Sequence, residues 1–106
     1  MHKAAREGHE EATRLLIQNK AEVDAKNNDD RTSLHLASEF GREKIAEVLL
    51  QYDADPNARD SNQDTPLHRA VRNGHSKVSD VLLKDGADKN LKNTLYFDFF
   101  FRLMNQ

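Results

Sequence analysis

The chain has 106 residues, 32% of them charged, with 16 Lys and Arg against 18 Asp and Glu and no cysteine. At roughly 100 to 200 residues per domain, that length allows one compact body and leaves no room for a catalytic lobe beside a binding lobe. A net charge of −2 supplies no broad positive field for nucleic acid, the missing cysteines exclude a disulfide framework, a Cys-based zinc site and a thiol nucleophile, and no run nears the roughly 18 apolar residues of a membrane span.

In chain order, the first element is a helix entered in mid-motif: Met1-His2-Lys3-Ala4 has no capping turn before it, and Gly8 offers the left-handed residue that closes a helix. A second helix carries Leu15-Leu16-Ile17, and a polar segment rich in Asp and Asn follows. Thr32 then caps a helix through Ser33-Leu34-His35-Leu36-Ala37 that stops near Gly41. The next helix places Ile45, Val48 and Leu49 at i, i+3, i+4, the spacing of one buried stripe. Residues 54–64 are again polar and suit a turn or hairpin loop. Thr65 caps the fifth helix with Pro66 at its first position, where a missing N–H costs nothing, and Gly74 ends it. The sixth helix repeats the stripe with Val78, Val81 and Leu82. After Asn93 the composition changes: residues 95–104 hold eight apolar side chains, four of them Phe.

These elements are copies. Thr32-Ser33-Leu34-His35-Leu36-Ala37 returns 33 residues later as Thr65-Pro66-Leu67-His68-Arg69-Ala70, and the same step aligns Gly8, Gly41 and Gly74, the three aliphatic triplets, Ala21, Ala54 and Ala87, then Asp24, Asn57 and Asn90. A single helix pair has too little apolar surface to fold alone, so the units must stack into a quasi-linear solenoid. With T-x-L-H-x-A, a glycine, an aliphatic triplet and A-D-x-N at this period, the sequence resembles the ankyrin-repeat family. The resemblance implies an all-α helical repeat solenoid with short hairpin loops over residues 1–93, in units of about 1–26 (truncated), 27–59 and 60–92, with an apolar aromatic tail at 94–106 outside the pattern.

The chain departs from the family at several positions. Asp30 and Gln63 stand where a turn glycine is usual, and Lys20 and Asp53 where a glycine follows the second helix, so non-glycine residues are expected at positive φ. Lys3 and Arg69 take the place of Leu36, which reads as a half-exposed position, because an unpaired buried charge is too costly.

Five histidines invite metal or acid–base chemistry, but His2, His35 and His68 share one repeat position and His9 and His75 another. Recurrence at the repeat period points to bonds across the turn and to the neighbouring unit, whereas zinc needs three or four ligands converging on one point. Thr32 with His35 and Thr65 with His68 are helix-cap pairs rather than nucleophile and base. The carboxylate pairs Glu10-Glu11 and Asp29-Asp30 lie on solvated segments, and the four glycines form no phosphate loop. No catalytic, cofactor or metal site is therefore expected.

What remains is surface. First helices and hairpin tips align from unit to unit into a concave face, and partner-binding residues are expected where the units differ. By the family pattern these are Lys26, Asn28, Asp29, Arg31, Glu39 and Phe40 in the second unit, and Arg59, Ser61, Asn62, Asp64, Arg72 and Asn73 in the third. Phe40 leads, an aromatic where Glu7 and Asn73 are its equivalents, although packing on its own repeat edge also accounts for it. The resemblance further implies that Asn57 and Asn90 match asparagines open to hydroxylation by a dioxygenase, with plain hydrogen bonding to the hairpin backbone as the other reading. The expected function is non-enzymatic binding of another protein, inside the cell in cytoplasm or nucleus, as a monomer, without nucleic acid, membrane span or cofactor. The alternative is a fragment or isoform of a larger ankyrin-containing scaffold, channel, toxin or regulatory protein, which the start in mid-motif favours. For the tail three readings stand: a cap on the third unit, a stray aggregation-prone end, or a docking segment.

Overall fold

The computed structural model describes residues 1–93, which form three helix pairs and, among the described residues, no strand: α1 (His2–Glu7) with α2 (Glu10–Gln18), α3 (Ser33–Glu39) with α4 (Glu43–Gln51), and α5 (Pro66–Arg72) with α6 (Ser76–Lys84). The expectations for residues 94–106 lie outside the described residues.

Each helix pair is built by the same local chemistry. Thr32 and Thr65 have extended backbone, and their hydroxyls accept the N–H of His35 and His68 at 3.3 Å. The histidines return the bond, Nδ1 accepting the threonine N–H at 3.0 and 2.9 Å. Two donors that a helix start would strand are thus satisfied reciprocally. α1 has no side-chain cap of this kind. At the other end of α3, Gly41 turns the chain with φ 70°, and a Cβ there would lie 2.6 Å from Nδ1 of His75. Any side chain at this position would be strained at that φ and would push the His75 ring aside.

The short helices α1, α3 and α5 stack in one layer, and α2, α4 and α6 pack behind them in a second. The core runs between the layers as one cluster that includes Ala5, Leu34, Ala37, Ile45, Leu49, Leu67, Ala70, Val78 and Leu82. Small residues on the inner helices let them approach closely, and the aliphatic stripe of α4 and α6 fills the space behind. Ile45, Val48 and Leu49 are buried as their spacing predicts, whereas Leu15 and Leu16 on α2 are exposed because no unit among the described residues covers that flank.

Four non-glycine residues sit at positive φ: Lys20 (73°), Asp30 (59°), Asp53 (68°) and Gln63 (62°). These are the positions where the sequence lacks the glycines of its pattern. Side chains there clash with the following carbonyl. Asp53→Gly and Gln63→Gly are expected to raise stability by a few tenths to about 1 kcal/mol each, the relief of strain exceeding the added freedom of the unfolded chain. Urea unfolding checks this, and a lowered midpoint would count against strain at these turns.

Candidate partner-binding face

The hairpins and inner helices are tied across units by bonds that recur at the repeat period. His2 Nε2 donates to the carbonyl of Arg31 at 3.0 Å and His35 Nε2 to that of Asp64 at 2.8 Å, each 29 residues ahead. Farther along, Arg42 Nε reaches back to the carbonyl of Arg6 at 3.0 Å and His75 Nε2 to that of Glu39 at 2.9 Å. Both ring nitrogens of His35 are committed, Nδ1 accepting and Nε2 donating, which fixes the neutral tautomer. Burial pulls its pKa below the ordinary 6.5 against the opposing pull of the Asp64 backbone bond and the Asp60 charge. Among the described residues no three His, Asp or Glu side chains gather as a metal ion would require.

The face differs from the expected open surface at its centre. Arg69 is buried, not half-exposed: its side chain is 7% accessible, with Nη2 donating to Asp60 Oδ2 at 2.7 Å and lying 3.2 Å from Asp64 Oδ2. An unpaired charge would be too costly to bury there; this one is paired, by two carboxylates that are themselves buried. Lys3, at the equivalent position, is exposed. Asp60 also organises the hairpin, its Oδ1 accepting the N–H of Asn62 at 2.8 Å and of Asp64 at 3.0 Å. Burial alone would raise the Asp60 carboxyl; the Arg69 guanidinium and these two N–H groups outweigh it and hold it below its ordinary 3.8.

Asp64 is accordingly not a surface contact. Its carboxylate accepts from Arg72 Nη1 and Nη2 at 3.1 Å each and from Asn93 Nδ2 at 2.6 Å, and it is fully internal. The charge order reverses between units: Arg31 lies 3.7 Å from Glu39 in the second, and Asp64 pairs with Arg72 at the same two positions in the third. Asn27 with Leu36 likewise becomes Asp60 with Arg69. Both exchanges are visible once the units are aligned, and neither shows at a single position.

The other predicted contacts are placed as follows. Asn28, Asp29, Ser61 and Asn62 are exposed at the hairpin tips, where the Ser61 N–H donates to the Asp29 carbonyl at 3.0 Å and binds one tip to the next. Lys26 is exposed, its Nζ held by the Arg59 carbonyl at 3.0 Å. Arg59, Arg31 and Glu39 are half-buried, and Arg31 Nε, 3.6 Å from Asp60, has no hydrogen-bond partner among the described residues. Arg72 and Asn73 are exposed at the edge of α5. Phe40 closes α3 with 46% of its surface exposed. Asn57 bridges to the next turn, Oδ1 accepting the Asp88 N–H at 2.7 Å and Nδ2 donating to the Gly86 carbonyl at 3.2 Å, while Asn90 is exposed.

No individual curated protein matches the chain. A family model described as ankyrin repeats, three copies, matches residues 1–93, the span of all three helix pairs. With the reciprocal Thr–His caps, the recurring inter-unit bonds and this match in hand, the chain belongs to the ankyrin-repeat family.

Proposed function

We propose that the chain is a non-enzymatic module that binds another protein through the concave face and hairpin tips. Ankyrin repeats generally mediate protein–protein interaction. The observation that carries the reading here is Phe40, a large ring left 46% exposed at the end of a helix whose other residues are almost all buried. Arg31, Glu39 and Arg72 surround the face with charge that is fixed in place by ion pairs, so a partner meets a pre-set pattern rather than mobile side chains. The reading places the chain inside the cell, on its cysteine-free composition. Phe40→Ala is expected to weaken partner capture by roughly 2 kcal/mol or more, about 30-fold, with the helical fold intact. A pull-down from cell extract followed by titration of the recovered protein measures it; equal capture by both forms would remove Phe40 and this face from the reading.

A second reading treats the array as part of a larger ankyrin-containing protein. It rests on Leu16, 39% exposed where its equivalents Leu49 and Leu82 are wholly buried, which is the flank another unit would cover. The apparent mass of the endogenous product separates the two.

A further inference from the structure

Two positions of the repeat keep one sign of charge in all three units. Glu22, Asp55 and Asp88 fill the first, and there the turn itself uses the carboxylate. Asp55 Oδ1 accepts the Asn57 N–H at 2.9 Å, and Asp88 Oδ1 that of Asn90 at 2.8 Å. Lys26, Arg59 and Lys92 fill the second, at the base of successive hairpins. Lys26 Nζ donates to the Arg59 carbonyl at 3.0 Å, and Arg59 Nη1 to Gln63 Oε1 at 3.4 Å. A carbonyl and an amide each take a donor and leave the positive charge unneutralised. One cation therefore recurs per unit, aligned along the stack by the Lys26 bond to the next unit.

The surroundings of this row share its bias. Asp60 and Asp64 are buried and already matched by Arg69 and Arg72. Arg31 closes the second hairpin, its carbonyl accepting the Asn27 N–H at 3.0 Å. Its Nη1 lies 3.7 Å from Glu39, too far for a hydrogen bond, and its Nε donates to nothing among the described residues. That guanidinium can take a further carboxylate. Asp29 and Asp30 stand exposed at the tip. They repel an acidic chain from the tip and confine it to the base, where the cations are.

We propose that the partner of this face is an acidic, extended segment of another protein, its carboxylates meeting Lys26, Arg59 and Arg31. The inference rests on the protein-binding reading above and names the class of partner. Stacked helices lie roughly 8–10 Å apart, which sets the spacing of the row. A polyproline II segment returns to the same face every third residue after about 9 Å, so acids at i and i+3 fall in register with consecutive units. Such a conformation is common in charged, unfolded chains. Charge complementarity of this kind mainly steers encounter and selects the partner.

Selection from displayed short random peptides against the full-length chain reads the partner's charge directly. The enriched pool is expected to hold an excess of Asp and Glu at three-residue spacing; a basic or uncharged pool, or none, would overturn the proposal. Lys26→Gln/Arg59→Gln should bind a selected peptide about tenfold more weakly near roughly 0.05 M salt and about twofold near roughly 0.5 M, because salt screens exposed ion pairs. Lys77→Gln/Lys84→Gln removes the same charge from α6 and should bind as the native chain does; an equal loss there would overturn the row as the site. Circular dichroism verifies that both variants keep their helices. Single-stranded RNA that displaces the peptide as well as unlabelled peptide does would also overturn it, since nucleic acid would then be the partner. Peptides that depend on Phe40 but carry no excess of acid would overturn this inference and leave the binding face standing. An acidic pool indifferent to Phe40→Ala would support the row and remove Phe40 alone.

Discussion

Asp60→Ala is expected to destabilise the array by about 3–5 kcal/mol, the cost of breaking a buried ion pair by removing one partner. The substitution takes from Arg69, whose side chain is 7% accessible, the nearer of its two carboxylates and leaves Asp64 at 3.2 Å, and it frees the Asn62 and Asp64 N–H groups that Asp60 Oδ1 now accepts. Against a total of about 5–15 kcal/mol for an ordinary domain, that removes much of what holds the units together. The double variant Asp60→Asn/Arg69→Leu installs the residues of the second unit, Asn27 and Leu36, in the third. It should recover most of the loss, since replacing a whole buried ion pair by a packed apolar group is often near neutral. Urea unfolding of the three proteins decides the matter; a double variant no better than Asp60→Ala would show that the pair contributes more than mutual neutralisation.

Acid should act at two residues in the same region, and the sign is the same for both. His35 has a depressed pKa in the folded state, so its contribution is complete above the unfolded value near 6.5 and declines as pH falls below it. Protonation would also place a proton on Nδ1, which now accepts the Thr32 N–H at 3.0 Å. Asp60 is held below 3.8, and its contribution declines below that value as pH approaches the folded pKa. A stability–pH curve measured at fixed ionic strength should therefore fall in two stages on the acid side. The first stage should be lost in His35→Gln.

Leu49→Ala should cost about 2–5 kcal/mol, whereas the same truncation at Leu16, its equivalent in the first unit, should cost far less. Leu49 is completely buried between the two helix layers, so removing three carbons forfeits transfer free energy and leaves a cavity. Leu16 lies on an uncovered flank and is 39% exposed, with water able to fill the space. Calorimetric or urea unfolding of both variants compares one residue type at one repeat position in two surroundings. Similar losses at the two sites would mean that the first unit is packed as tightly as the second.

The helices and their order were legible because they rest on local and periodic signals. Thr32 and Thr65 mark helix starts, Gly41 and Gly74 mark stops, and the i, i+3, i+4 stripes mark the faces that turn inward. A repeat adds redundancy, since each position is stated more than once. The candidate face was legible in outline only. Asp64 reads as a surface contact because the units differ there, and Arg69 as half-exposed because a lone buried charge is prohibitive. Each reading failed on its partner: Asp60 and Arg69 are nine residues apart, Asp64 and Arg72 eight, and Asn93 comes from a hairpin 29 residues beyond Asp64.

By itself, then, the amino-acid order determined the kind of unit, its length, the residues that begin and end each helix and the stacking of units into a solenoid. These follow from short-range sterics, capping and the need of each apolar stripe for a neighbour. The tertiary structure alone decided which charges are internal and which leucine of an equivalent set is covered. Those properties depend on what the adjoining unit presents at a given point. A carboxylate or guanidinium is tolerated in the interior only when folding brings its counter-charge within a few ångströms, and no single position in the chain records that meeting.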